Sequence, residues 1–122
     1  MSNPRKQKGN NYEYEVQENL TRIGYKTTRT AERGYTQQYD LYIEEEDGGF
    51  MAIECKRQKG FTWNDLKKYF LKLEEKQPQA KKHLLFFRGN RQPCLIMSRA
   101  PNGAVTVQEF QDFFGCPYQN RR

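Results

Sequence analysis

Phe50-Met51-Ala52-Ile53-Glu54-Cys55-Lys56 decides how the rest of the chain is read. A mostly apolar run of this length, broken by Glu54 and closed by Lys56, reads as a strand near the centre of a sheet, buried on both faces. Side chains two apart on a strand share a face, so the Glu54 carboxylate and the Lys56 ammonium point the same way. Just upstream, Glu44-Glu45-Glu46-Asp47-Gly48-Gly49 supplies turn chemistry, and Tyr39-Asp40-Leu41-Tyr42-Ile43 alternates like a second strand. Closing that hairpin about Asp47 sets Asp40 roughly opposite Glu54, to within one residue of register. Two carboxylates and a lysine thus meet on neighbouring strands.

Working outward, Tyr25 to Thr30 reads as a further strand, and Ala31 to Gln38, polar and carrying Gly34, as a loop. A helix is expected from Asn11 to Ile23, where Tyr12, Val16, Leu20 and Ile23 recur at helical spacing and Gly24 supplies the stop. Residues 1–11 hold Arg5, Lys6 and Lys8 without an acid and read as a basic N-terminal arm, leaving 12–122 as one domain. Downstream, Thr62 is placed to cap a helix, with Asp65 as a weaker capping-box partner and Leu66, Tyr69, Phe70 and Leu73 as its apolar stripe; the helix ends before Pro78. His83 to Phe87 and Cys94 to Met97 read as two strands about a turn at Gly89-Asn90. Val107 to Phe114 reads as a short last helix stopped by Gly115. The order is α-β-β-β-α-β-β-α, an α/β arrangement with a mixed sheet of about five strands.

The 122 residues suffice for one core, and only 35% of them are apolar; seventeen aromatics (8 Phe, 8 Tyr, 1 Trp) imply that the core is built from large side chains. Lys and Arg number 21 against 15 Asp and Glu, a net charge of +6 that favours a polyanionic partner. No apolar stretch approaches the roughly 18 residues of a membrane span, and the first residues do not read as a secretory signal. The three cysteines, Cys55, Cys94 and Cys116, lack CxxC spacing, which argues against a disulfide framework or zinc knuckle and for a reducing, cytoplasmic setting. A lone histidine, His83, excludes chemistry that needs two, and no phosphate-binding GxxxxGK[ST] loop is present. Carboxylates and lysines must carry any catalysis.

A third acid can come from the first helix. At about 100° per residue Glu13 lies within about 20° of Leu20, on the buried face, whereas Glu15 lies roughly 140° away and is expected in solvent. A buried carboxylate needs a partner, and two or three acids with waters suit Mg²⁺, for which Mn²⁺ can substitute. Asp40 and Glu54 would hold the ion directly and Glu13 directly or through water, with the Cys55 carbonyl as a further ligand. Such an ion activates water and polarises a phosphodiester, and Lys56 can orient the water or stabilise the transition state. Glu-x-Lys alone is common, and Glu74-Glu75-Lys76 is a second copy. That one falls on a predicted helix, where i and i+2 do not face each other. The strand context singles out Glu54 and Lys56.

Lys8-Gly9-Asn10-Asn11-Tyr12-Glu13, then Gly24-Tyr25, Asp40 and Ile53-Glu54-Cys55-Lys56 together resemble the PD-(D/E)XK nuclease superfamily, and within it the archaeal-type Holliday junction resolvases and their viral relatives. Tyr39 stands where that family usually has Pro. The resemblance covers roughly residues 5–60 and implies a restriction-endonuclease-like sheet flanked by helices, with Glu13, Asp40, Glu54 and Lys56 as the active site. It also implies a homodimer that cuts two opposing strands of a four-way DNA junction with Mg²⁺. No membrane and no small-molecule cofactor enter this reading. Arg5, Lys6 and Lys8 in the arm, Arg29, Arg33 and Tyr35 before Asp40, and Arg57 and Lys59 after the Glu-x-Lys are the candidate DNA contacts. The acid-free stretch holding Lys76, Lys81, Lys82, Arg88, Arg91 and Arg99 is a further candidate for phosphate contact. The alternatives are a related structure-specific or duplex nuclease, a non-catalytic DNA-binding module, and a carboxylate-only resolvase that does not need Lys56.

Overall fold

The computed structural model describes residues 4–29 and 41–120, with side chains described from Asn11 onward. In chain order the elements are α1 (Pro4–Arg22), β1 (Thr27–Arg29), β2 (Leu41–Glu44), β3 (Phe50–Arg57), α2 (Trp63–Lys76), β4 (Lys82–Arg88), β5 (Leu95–Arg99), β6 (Val105–Glu109) and α3 (Phe110–Phe114). The strands form one six-stranded sheet in sequence order. Every neighbouring pair is antiparallel except β3–β4, which is parallel because the chain crosses back through α2 between them. This is the mixed α/β sheet of a restriction-endonuclease-like arrangement, with one strand more than expected.

Period-two alternation along β3 divides the core in two. Met51, Ile53 and Cys55 face Tyr12, Val16 and Leu20 of α1, together with Leu84, Phe86, Ile96 and Phe110. Ala52 faces the other way, against Leu73 of α2, and Leu66 and Phe70 of the same helix pack on Leu85, Phe87 and Met97. Burial on both faces is why β3 and β4 are nearly continuous apolar runs. The turn entering β3 is closed by Glu45 N–H donating to the Gly49 carbonyl and by Gly48 at φ +89°, a conformation that strains any side chain.

The cap is as the sequence predicts: the Asp65 amide donates to Thr62 Oγ1 at 3.1 Å, and α2 ends at Lys76, two residues short of Pro78. Three boundaries differ. First, α1 begins at Pro4 rather than Asn11, so the backbone from Arg5 to Lys8 is helical. Second, Val105–Glu109 is an edge strand paired with β5, not the start of a helix; α3 is only Phe110–Phe114, closed by Gly115 in the left-handed region. Val105, Thr106 and Val107 are three consecutive β-branched residues, and a waiting strand edge supplies their hydrogen bonds. Third, Glu15 is buried, not solvated. Arg88 Nη1 lies 3.1 Å from its Oε1, and the Tyr118 hydroxyl donates to the same oxygen.

That last contact belongs to a strap formed by residues 117–120. Asn19 on α1 accepts from the Gln119 amide at 2.8 Å and donates to the Gln119 carbonyl at 2.9 Å. Beneath it the Tyr12 hydroxyl sits 3.1 Å from Cys94 Sγ. Burial pushes the Cys94 thiol up to about 12 and the Tyr12 phenol well above its ordinary value. A thiol titrating that high is protonated at pH 8 and unreactive. With Cys55 also buried, a thiol reagent on the folded protein is expected to label Cys116 first, and all three only after denaturation.

Candidate active site

Glu54 and Lys56 lie near the end of β3 on its α2 face, as period-two alternation requires. Lys56 Nζ is 3.8 Å from Glu54 Oε1, with side-chain exposures of 32% and 19%. The ammonium also sits 4.7 Å from the centroid of the Tyr69 ring. Tyr69 is fixed in turn, because Gln58 Nε2 donates to its hydroxyl at 2.9 Å. A partly desolvated ammonium over an aromatic face gains about 1 kcal/mol. The lysine is therefore held on three sides by α2, by the end of β3 and by a carboxylate, while keeping a third of its side chain in solvent. Tyr69 appears in the sequence only as part of the α2 apolar stripe. Gln58 is not singled out in the sequence, although it is the next residue on the Glu54–Lys56 period.

Glu13 is held elsewhere. Arg29 Nη2 donates to its Oε2 at 2.8 Å, and the Arg29 guanidinium stacks on the Tyr14 ring with Cζ 3.8 Å from the centroid. Arg29 pairs with Leu41, and Leu41 with Ile53. Residues opposite one another in an antiparallel ladder share a face, so Arg29 lies on the α1 side of the sheet, whereas Glu54 lies on the α2 side. Arg29 is only 5% exposed, and its Nε has no hydrogen-bond partner among the described residues. A phosphate contact from this guanidinium would have to displace Glu13.

Asp40, Arg33 and Tyr35 lie outside the described residues, and the side chains of Arg5, Lys6 and Lys8 are likewise not described. The register Leu41↔Ile53 runs up to the position before Glu54. The Cys55 side chain points into the α1-side core. Arg57 braces the turn after β4, donating to the Asn90 side chain and the Gln58 carbonyl at 2.9 Å each. Lys59 is exposed. Among the described residues no set of three Asp, Glu, His or Cys side chains gathers to hold a metal. Glu54, an oxygen donor with most of its side chain buried, is the described residue whose chemistry fits a hard divalent cation.

The basic stretch divides. Lys81 pairs with Asp47 and Glu45, Arg88 with Glu15 and Arg99 with Glu74. Two of these pairs hold the acidic turn at the Phe50 end of β3, about 13 Å along the strand from Glu54. The second Glu-x-Lys copy lies on α2, where Glu74 clasps Arg99 through both its oxygens. A groove of about 920 Å³ between Tyr25, Phe114 and Glu44 also lies at that far end.

A mixed sheet between helices, with a carboxylate and an ammonium paired on a central strand, defines an α/β domain of the restriction-endonuclease-like class. The chain belongs to the family described as "Phage putative PDDEXK endonuclease", which its sequence matches over residues 4–113, and so to the PD-(D/E)XK nuclease superfamily. Among solved structures it is similar to Hjc, a Holliday junction resolvase from the archaeal hyperthermophile Archaeoglobus fulgidus. The TM-score is 0.56 at 15% identity, over 92% of this chain and 99% of that one. What the two share at that identity is the fold. No curated protein sequence matches the chain. Among the described residues no helix is long and apolar enough to cross a membrane.

Proposed function

We propose that this chain is a metal-dependent endodeoxyribonuclease acting on branched DNA, with a four-way junction as its substrate and a homodimer as its working form. The observation that carries the reading is the Glu54–Lys56 pair, set on a central strand of a PDDEXK-family domain. The Hjc likeness supports the choice of junction over linear duplex. A homodimer suits two symmetric strands, since each such domain carries one site.

In this reading Asp40, covalently next to Leu41, and Glu54 would hold a Mg²⁺ or Mn²⁺ ion, with the Cys55 carbonyl as a further ligand; Glu13, paired with Arg29 on the α1 side of the sheet, would join them only through water and after release of that partner. The ion supplies an activated water and neutralises the phosphate. Lys56 donates to the attacking water or to the oxyanion that develops at phosphorus. Tyr69 and Gln58 keep that ammonium in place. Arg5, Lys6, Lys8, Arg33, Tyr35, Arg57 and Lys59 approach the DNA backbone, and Arg29 would join them only by leaving Glu13. The basic segment 1–11 and the domain 12–122 work as one unit.

One observation favours a second reading. Glu13 is already neutralised by Arg29, which would suit a DNA-binding module without catalysis. Incubation with labelled four-way junction, flap and linear duplex, with Mg²⁺ and with chelator, separates the two. The proposal expects paired, Mg²⁺-dependent cuts in the junction. Binding of the junction without cutting under any metal condition would establish the module instead.

A further inference from the structure

The chain carries an excess of cations, and the structure consumes several of them. Arg29, Lys81, Arg88 and Arg99 are each committed to acids of the same chain. Cations so engaged are poor phosphate contacts, because binding DNA would first have to break the internal pair. Among the described basic side chains without an ion pair, Lys67, Lys68, Lys72 and Lys76 are gathered on one rigid element, α2, and all four are exposed, whereas Lys59, Lys82 and Arg91 are scattered.

The two flanks of this helix are not equivalent. Tyr69 touches Lys56 and Gln58, so its flank overlooks β3 and the candidate site. Glu74 clasps Arg99, so its flank overlooks β5. At about 100° per residue Lys76 lies about 20° and Lys72 about 60° from Tyr69, with Lys68 about 40° beyond Lys72. Lys67, by contrast, lies about 20° from Glu74, beside the exposed Trp63 and Leu71. Lys68, Lys72 and Lys76 thus form a row with a charge every 6 Å or so, about 12 Å long, that turns from the Tyr69 flank at Lys76 to the outward face at Lys68. Two acids of the same helix flank the row, the exposed Glu75 about 20° beyond Lys68 and the half-buried Asp65 one turn before it.

From this row we infer that α2 is the phosphate track of the enzyme: Lys68, Lys72 and Lys76 bind the backbone of a DNA arm and lay it alongside Glu54 and Lys56. Evenly spaced, exposed ammonium groups suit a regular polyanion, which releases counterions on contact. They are less suited to a protein surface, where Lys is depleted in favour of Arg and aromatics. The row positions DNA and reads no sequence.

The inference rests on the nuclease reading, and its test separates the two. Binding of four-way junction and of linear duplex is measured against salt for the parental protein, for Lys68→Gln/Lys72→Gln/Lys76→Gln and for Lys67→Gln. The triple variant is expected to bind about tenfold or more weakly at 0.1 M salt, with a salt slope shallower by about 2 to 3 for both DNAs. Lys67→Gln is expected to match the parent. Lysine acetylation of the parental protein, read by mass spectrometry, should show these three positions protected by DNA and Lys67 not. If the parental protein binds DNA and the triple variant keeps its affinity and slope, the track is refuted and the nuclease reading survives. If the parental protein shows no salt-sensitive DNA binding, both fall together.

Discussion

Glu54→Gln is expected to abolish cleavage while leaving the fold, and DNA binding, intact. The substitution is nearly isosteric and keeps hydrogen-bonding capacity, but it removes the anionic oxygens on which a divalent ion depends. An ion that stabilises transition-state charge by several kcal/mol accounts for about a thousandfold or more in rate. Asp40→Asn should behave alike. Binding should persist or tighten, since a charge repelling phosphate is gone. Lys56→Ala should instead cost about a hundredfold in cleavage with metal affinity little changed, because an oriented donor is lost rather than a ligand. Tyr69→Phe, which retains the ring beneath the ammonium, should keep more activity than Tyr69→Leu. Single-turnover cleavage of junction DNA across a Mg²⁺ titration distinguishes these outcomes. Parental rates for all three carboxylate-to-amide variants, at Glu13, Asp40 and Glu54, would refute the site.

Arg88→Met is expected to be the most destabilising exchange outside the apolar core, by about 3 kcal/mol. Glu15 is only 8% exposed, and Arg88 carries the guanidinium that neutralises it. Removing one partner of such a pair strands the other charge beside Tyr118 and Cys94. The same guanidinium also holds Asn120, at 2.7 Å. Replacing both members, Glu15→Leu with Arg88→Met, should cost less than Arg88→Met alone, because the stranded carboxylate goes with it. Urea unfolding checks this: the midpoint should fall with the slope unchanged. A loss below about 1 kcal/mol for the single variant would mean that the pair is effectively solvated.

The pairing on β3 was legible because it depends on period-two alternation within one strand, which no tertiary context can alter. The Thr62 cap and the Gly24 stop were legible for a similar reason: both are local. Glu15 was misread because the helical-wheel argument took only apolar residues to define the buried face. Tyr12, Glu15, Val16 and Asn19 in fact share it, and the partners that make a buried acid tolerable lie near the opposite end of the sequence. The strand Val105–Glu109 was misread because a short β-branched run has no decisive period and takes the state offered by its neighbour. The conjunction of Tyr69 with Lys56 requires knowing which flank of α2 faces β3, and no spacing rule supplies that. Glu13 was rightly read as needing a partner; the partner seen is Arg29.

The strap across α1 has a consequence for how the molecule comes to exist. Asn19 meets Gln119 a hundred residues later, and Glu15 meets Tyr118 after 103. During synthesis the first helix is therefore finished long before the groups that satisfy its inward polar side chains have left the ribosome. It must wait, partly solvated, for residues 117–120 to arrive. Non-local closures of this kind slow folding, and they make the strap the clasp that converts a loosely docked helix into a fixed one.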